Sequence, residues 1–518
     1  MGAERTAAEE LAQLRQENEK LRAEVAHLRL ERDALVQRLK DELKNRYGRQ
    51  SERFEGQGLL PFMEGESAPP APLHVDEAPD EEYETVRRKE KRSRGAPRFP
   101  EDLQRRRVQV APSAEDAICS CCGKTRIQIG EDVTEELDYM PASFEIVDYV
   151  RPRLVCPDHE EAGVTIPDLP PRPIEKGMAG AGLLAQVVTA KYRDHLPLYR
   201  QSGIYRRSGV EISDSTMGDW IRDMAHLLSP IVAEMKRQAL ATGYVASDDT
   251  RITILDRKHP KGSRKGYLWV YQGSELGDCI FDYRPNRSRD GPLQFLRDYE
   301  GYVQADAYSG YDRLFTEGNV KEVGCMAHAR RRFDKAIGDD PKAARGVMDA
   351  IRRLYGLQSY AKKEELSVAA LRDLRQAEAL PLLEKLRDWM LEYKPHVLPE
   401  SPMGDALGYF LNHAEALMRY TEDGRLAIDN NRAERAMRQV AVGRKNWMFA
   451  GSDAGGERAA TLYSLTVSCW ELKLDPFRYL RDVIDRLSTT PCSEIGSLTP
   501  RAWAKAQEDF ASSSADRP

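Results

Sequence analysis

Three acidic side chains, Asp248, Asp306 and Glu434, stand in contexts that an ordinary surface carboxylate would not need. Asp248 lies in "GYVASDDTRITIL" and Asp306 in "GYVQADAYSGYDRL", both runs of β-type residues. Glu434 follows Asp306 by 128 residues, in "AIDNNRAERAMRQVAVGRKNWMFAGSDAGGER". That stretch surrounds one carboxylate with Arg432, Arg435, Arg438, Arg444, Lys445 and Arg458. A solvated helix face would explain the charges. It would not explain the Asn430-Asn431 pair, the Trp447-Met448-Phe449 run or the glycines that follow.

Adjacent carboxylates repel unless a cation neutralises them. Two divalent ions roughly 3.5–4 Å apart, bridged by an aspartate, stabilise both the attacking and the leaving oxygen of a phosphodiester displacement. The chemistry expected of Asp248 and Asp306, with Glu434 as the third carboxylate, is therefore phosphodiester cleavage with two Mg²⁺ or Mn²⁺ ions. The arginines would neutralise DNA phosphates, and Gly451, Gly455 and Gly456 would let backbone approach the substrate.

The elements that must position these residues follow from the pattern after residue 243. "GYVASDDTRITIL", "GYLWVYQG" and "CIFDYRPNRS" read as three antiparallel-type strands. A short helix ("GPLQFLRDY"), a fourth strand reaching Asp306 and a fifth strand running into the basic helix of "KEVGCMAHARRRF" come next. This order outlines an α/β, ribonuclease-H-like core in which the first and fourth strands are neighbours, so that Asp248 and Asp306 face one another. The core spans 241–335 and 426–485, split by a helical insertion over 336–425 and followed by a tail, 486–518. A cap at Asp429 or Asn430 puts Glu434 on the first turns of its helix, able to point at the sheet. Asp249 rivals Asp248, although neighbouring side chains on a strand face opposite ways. Arg330 and Arg331 are expected on phosphates with Arg332, one of the three pairing internally. His328 is either a contact to DNA or the site, or structural. Trp447 either stacks on an unpaired base or belongs to the core.

The first 240 residues read as accessories. Over 1–54, leucines at 14, 21, 28 and 35 recur at seven-residue spacing, the seam of a coiled coil, with Asn18 favouring a parallel homodimer. A linker over 55–108 turns from acidic to basic: 64–84 holds eight carboxylates and no Lys or Arg, while 87–107 holds ten basic side chains against three acidic. Such composition does not bury enough apolar surface to fold. Cys119 and Cys122, then Cys156 and His159, form two tight ligand pairs within 109–172, the spacing of a structural Zn²⁺ site, with Cys121 as a poorer alternative partner. Over 173–240, a helix, a turn at Gly209 and a second helix capped by Ser213 outline a helix-turn-helix that contacts DNA. The net charge of −6 argues against a protein that merely coats nucleic acid. No apolar run is long enough to span a membrane and no signal core is seen, so a cytoplasmic protein is expected.

"SDDTRITIL", "VQADAYSGYDRL", "VGCMAHARRRF" and the long block from Ile428 resemble the insertion sequence 66 family of DDE transposases. The zinc segment, "LPLYRQSGI" and the leucine-rich N-terminus resemble it in the same order. The resemblance implies a ribonuclease-H-like fold, with Asp248, Asp306 and Glu434 as the metal-binding triad, and small accessory transposition proteins as partners beside DNA. Met326 stands where relatives usually have Trp, and His159 where a Cys is common. "SDDT" replaces the usual Asp-Glu-Thr, a match that favours Asp248 over Asp249.

Overall fold

The computed structural model describes residues 121, 124, 143–155, 164–175, 177–273 and 277–515. The expected coiled coil, the linker and the four zinc ligands Cys119, Cys122, Cys156 and His159 lie outside the described residues. Residues 153–515 belong to one compact unit, and the described residues from 121 to 152 belong to a second. In the larger unit a two-stranded antiparallel ribbon, β1 (Leu154–Val155) with β2 (Val164–Thr165), precedes the main sheet.

The main sheet comprises β3 (Tyr244–Leu255), β4 (Ser263–Gly273), β5 (Cys279–Arg284), β6 (Gly301–Gln304) and β7 (Val320–Val323), in the order β5-β4-β3-β6-β7. β3 to β5 pair antiparallel, while β6 joins β3, and β7 joins β6, in parallel. Their residues suit the place. β4, an interior strand, is buried along Leu268, Trp269, Val270 and Tyr271, a continuous apolar run, as a strand covered on both faces requires. The far end of β3 alternates, with Ile252 and Ile254 buried and Arg251 and Thr253 not.

The first and fourth strands of this sheet are neighbours, as the sequence predicted. Their last paired residues are Ala246 and Gln304. Two residues beyond that pair, on each strand, come Asp248 and Asp306. Ala307 then takes a left-handed φ of 63°, which turns the chain away immediately after the carboxylate.

Helices α1 (Ala181–Tyr192), α2 (Leu198–Arg207) and α3 (Asp214–Leu240) precede the sheet. The expected turn and cap are present: Gly209 has φ 81°, and the Ser213 hydroxyl accepts the Thr216 N–H at 3.1 Å. α3 buries Met217, Trp220, Met224, Leu228, Ile231 and Met235, an apolar stripe at helical spacing, and packs on β3, β4 and β5. Short helices α4 (Asp290–Phe295) and α5 (Asp312–Glu317) flank β6, and α6 (Met326–Ala336) leaves β7.

The insertion is helical throughout: α7 (Pro341–Lys363), α8 (Val368–Leu374), α9 (Leu380–Tyr393), α10 (Pro402–Asn412) and α11 (Ala414–Met418). The chain then returns to the sheet for α12 (Asn431–Trp447) and α13 (Asp453–Glu471), followed by α14 (Pro476–Leu487) and α15 (Pro500–Ala515). α13 packs along β5, where the Ser468 and Ser464 hydroxyls accept the N–H groups of Cys279 and Phe281 at 2.8 and 2.9 Å. Among the described residues, no helix is long and apolar enough to cross a membrane.

Arg375 ties the insertion to the segment that leads into α12. It is 3% exposed, and its Nη1 donates to the carbonyls of Tyr420, Asp423 and Leu426 at 2.9, 3.0 and 2.9 Å. Arg375→Met leaves those carbonyls without their donor and is expected to cost about 3 kcal/mol of stability, read as a lower urea midpoint. An unchanged midpoint contradicts this role.

Candidate active site

Asp248 stands midway along β3, opposite Val270 of β4, and its Oδ1 accepts the Asp249 N–H at 2.8 Å. Burial pushes its carboxyl up to about 7, and the negative charges of Asp306, Glu434 and Asp249 push in the same direction. The three predicted carboxylates therefore share one electrostatic field. A cleft of about 290 Å³ lies there, with Asp248, Thr250, His328, Arg331, Glu434 and Arg438 in its lining. Asp249 also reaches it but is held differently. Arg287 donates to both its oxygens, Nη2 to Oδ1 at 2.6 Å and Nε to Oδ2 at 3.0 Å, while lying 3.9 Å over the Tyr308 ring.

Glu434 reaches the cleft because the start of α12 is fastened to β3. The Asn430 side chain, 1% exposed, donates from Nδ2 to the Ser247 carbonyl at 2.8 Å, next to Asp248. Its backbone N–H donates to the Cys325 sulfur at 3.2 Å. Asn430 stands at the cap position without a side-chain cap bond; Asp429 just before it accepts the Asn431 N–H at Oδ1 at 3.1 Å and the Tyr355 hydroxyl at Oδ2 at 2.7 Å. Glu434 follows one turn later. Arg331 on α6 donates to Glu434 Oε2 at 2.8 Å, and His328 Nδ1 lies 3.7 Å from its Oε1.

The far half of α12 is fastened too. Arg444 Nη1 donates to the Thr250 hydroxyl at 2.8 Å and to the Arg251 carbonyl at 2.6 Å. Beyond the helix, the Ala450 N–H donates to the Thr253 carbonyl and its carbonyl accepts from Leu255, each at 2.9 Å. Thus Arg444, expected on DNA, braces the sheet. Arg332 pairs with Asp405 at 2.5 Å, and Arg432 lies 3.7 Å from Glu471. Arg435, Arg438 and Lys445 face solvent, and Arg330 is half-buried. Trp447 packs against the core. Gly456 serves packing: a Cβ there would lie 2.5 Å from the Tyr283 ring.

The tie from Asn430 and the grip of Arg331 on Glu434 are the two functional contacts that sequence reasoning missed. The unexplained Asn pair was the signal for the first. The second had only the generic basic run of α6.

Three carboxylates form an all-oxygen donor set, which suits a hard divalent cation such as Mg²⁺ or Mn²⁺. A cation would offset both the burial and the neighbouring negative charges that push the Asp248 carboxyl up. The donor chemistry fits that metal, while among the described residues the ligand atoms already within 4.8 Å of one another are those of Cys325, His328 and Glu434, not of the three carboxylates.

A folded-state carboxyl near 7, against 3.8 ordinarily, means the native protein keeps a proton that the unfolded chain has lost between those values. This contribution to stability is full below the unfolded value and is lost as pH rises through the folded one. Denaturant midpoints of metal-free protein should fall between pH 5 and pH 8, and Asp248→Asn should flatten that slope. An identical slope in the variant contradicts the assignment.

Residues 176–458 match the Transposase IS66 family. Residues 116–158 match the zinc-finger binding domain of transposase IS66, a span that takes in Cys119, Cys122 and Cys156 and stops one residue before His159. The chain is 30% identical over 432 residues to Uncharacterized protein y4hP of Sinorhizobium fredii, covering 79% of this chain and 77% of that one. It is 30% identical over 447 residues to Uncharacterized protein y4jD of the same organism, covering 83% and 86%. The matched span opens just before α1, closes in the first turns of α13 and takes in Asp248, Asp306 and Glu434; the chain belongs to the IS66 family of transposases.

Proposed function

We propose that this transposase cuts the ends of an insertion element and joins the freed 3′-hydroxyl to target DNA, with Asp248, Asp306 and Glu434 as its catalytic, metal-holding triad. The observation that carries this reading is the burial of Asp248 within the field of Asp306 and Glu434, whose negative charges add to the upward push on its carboxyl. The strand order supports a ribonuclease-H-like core, in which 336–425 is an insertion ahead of the last acidic residue. Two Mg²⁺ or Mn²⁺ ions, when bound, would activate the attacking oxygen and stabilise the leaving one.

The protein's own residues do the rest. Asp248 and Asp306 offer oxygens from neighbouring strands, and Glu434 completes the set from α12 as Arg331 yields it. Arg331 is then available to a phosphate, with Arg330 beside it on α6. Arg435, Arg438 and Lys445 carry positive charge along α12 toward the DNA backbone. Arg432 and Arg444 belong to the same basic helix, and Arg444 also keeps Thr250 in place. Water attacks the phosphodiester at the element end and the 3′-oxygen leaves. That 3′-hydroxyl next attacks a target phosphodiester, whose own 3′-oxygen departs. No covalent protein–DNA link forms.

The zinc module, with Cys119, Cys122, Cys156 and His159 around a structural Zn²⁺, and the helices of 173–240 would read the terminal repeats. The coiled coil over 1–54 would bring two protomers, and hence two ends, together. Accessory transposition proteins and a cytoplasmic, nucleoid-associated location complete the reading.

Labelled element ends with Mg²⁺ test it. Wild type should nick and join, whereas Asp306→Asn, Asp248→Asn and Glu434→Gln should each lose on the order of a thousandfold in rate while still binding end DNA. Nicking without joining would make the protein a nuclease of the same architecture. Full activity in Asp306→Asn contradicts the triad.

A further inference from the structure

At the cleft lies a second donor set, of which the proposed chemistry uses only Glu434. Cys325 occupies the cap position of α6, and His328 stands on that helix's first turn. Donor atoms of Cys325, His328 and Glu434 all lie within 4.8 Å of one another. His328 Nδ1 is buried and has no hydrogen-bond partner among the described residues. At 3.7 Å from Glu434 Oε1, it is too far for a hydrogen bond, so simple pairing does not account for it. Cys325 is fully buried, and its sulfur already accepts the Asn430 N–H, a contact that can also steady a metal-bound thiolate.

One sulfur, one imidazole nitrogen and one carboxylate oxygen are the donors that a borderline cation selects and Mg²⁺ does not. Tetrahedral zinc with bonds of about 2.0–2.3 Å puts its ligand atoms roughly 3.4–3.6 Å apart. The three atoms, within 4.8 Å of one another, need close by no more than about 1.4 Å to reach that spacing. Arg331 donates to both oxygens of Glu434, to Oε2 at 2.8 Å and at 3.4 Å to Oε1, the oxygen nearer His328.

The geometry points to an inhibitory metal site: Cys325, His328 and Glu434 bind Zn²⁺ or a similar borderline cation and so withdraw Glu434 from Asp248 and Asp306. Binding forms one bond each from sulfur, nitrogen and oxygen to the cation, and water takes the fourth position. The thiol proton passes to solvent. One carboxylate then serves two mutually exclusive sites, and free zinc sets which of them is filled. Metal binding stands on the geometry alone; the inhibition rests on the proposed role of Glu434.

The test uses the full chain with its zinc module filled, titrated with Co²⁺. Thiolate coordination gives a charge-transfer band in the near ultraviolet. Wild type should gain a band that Cys325→Ser and His328→Asn both lack, and if the first variant does not fold, the second carries the comparison. Mg²⁺-dependent nicking is then measured against added Zn²⁺, each protein normalised to its own zinc-free rate. The Zn²⁺ concentration that halves the rate should rise about tenfold or more in either variant. Identical cobalt spectra in all three proteins overturn the site. A wild-type band with an unchanged zinc response overturns the inhibition. A band without nicking in any protein refutes the proposed function, and the inhibition with it, but leaves the metal site standing.

Discussion

Asp248 is buried close to two further carboxylates, Asp306 and Glu434, and that burial, with their negative charges added to it, pushes its carboxyl up to about 7. Free side chains would swing apart to restore their hydration. These are kept together because each comes from a backbone segment fixed elsewhere. The sheet supplies the first two through the parallel pairing of β3 with β6. The third depends on α12 being fastened to the same strand at both ends. Removing the repulsion by folding differently would mean breaking a sheet, and no local adjustment offers that escape.

The fastening is economical in residues. Gln304, the last paired residue of β6, donates from its side-chain nitrogen to the carbonyls of Gly324 and Ala427 at 3.0 and 2.9 Å. It thus joins the end of β7 to the segment entering α12. Asn430 then ties α12 to Ser247, and Arg444 ties the other end to Thr250 and Arg251. The partners on β3, Ser247, Thr250 and Arg251, all lie within three residues of Asp248. A buried Arg or Asn that satisfies carbonyls costs little while paired and a great deal if its partner is lost. This makes the geometry of the cleft a cooperative property of the core. The long insertion can therefore separate Asp306 from Glu434 in sequence without loosening them in space.

Much of this was legible in the chain. The strands after residue 243 announce themselves by β-branched and aromatic runs, and strand order alone makes Asp248 and Asp306 neighbours. Glu434 was legible as one carboxylate among arginines ahead of a glycine loop, and the resemblance made it specific. The competition between Asp248 and Asp249 was not decidable from the strand alone. It turns on Arg287, 38 residues away, and a long-range ion pair leaves no mark in local pattern. Arg331 and Arg444 illustrate the same limit. Composition shows a basic helix, while the partner of each guanidinium depends on packing. The glycines were read as openings for substrate, whereas Gly456 is small because the Tyr283 ring lies against it. For the coiled coil, sequence pattern is the whole argument; for the zinc module the match of residues 116–158 to the family's zinc-finger domain stands beside it.

The most direct measurement is anomalous diffraction from crystals of the full chain bound to element-end DNA and soaked in Mn²⁺. The account predicts manganese peaks in contact with carboxylate oxygens of Asp248, Asp306 and Glu434 together, with Arg331 moved from Glu434 to a phosphate. Manganese bound without Glu434, with that side chain still gripped by Arg331, would contradict it.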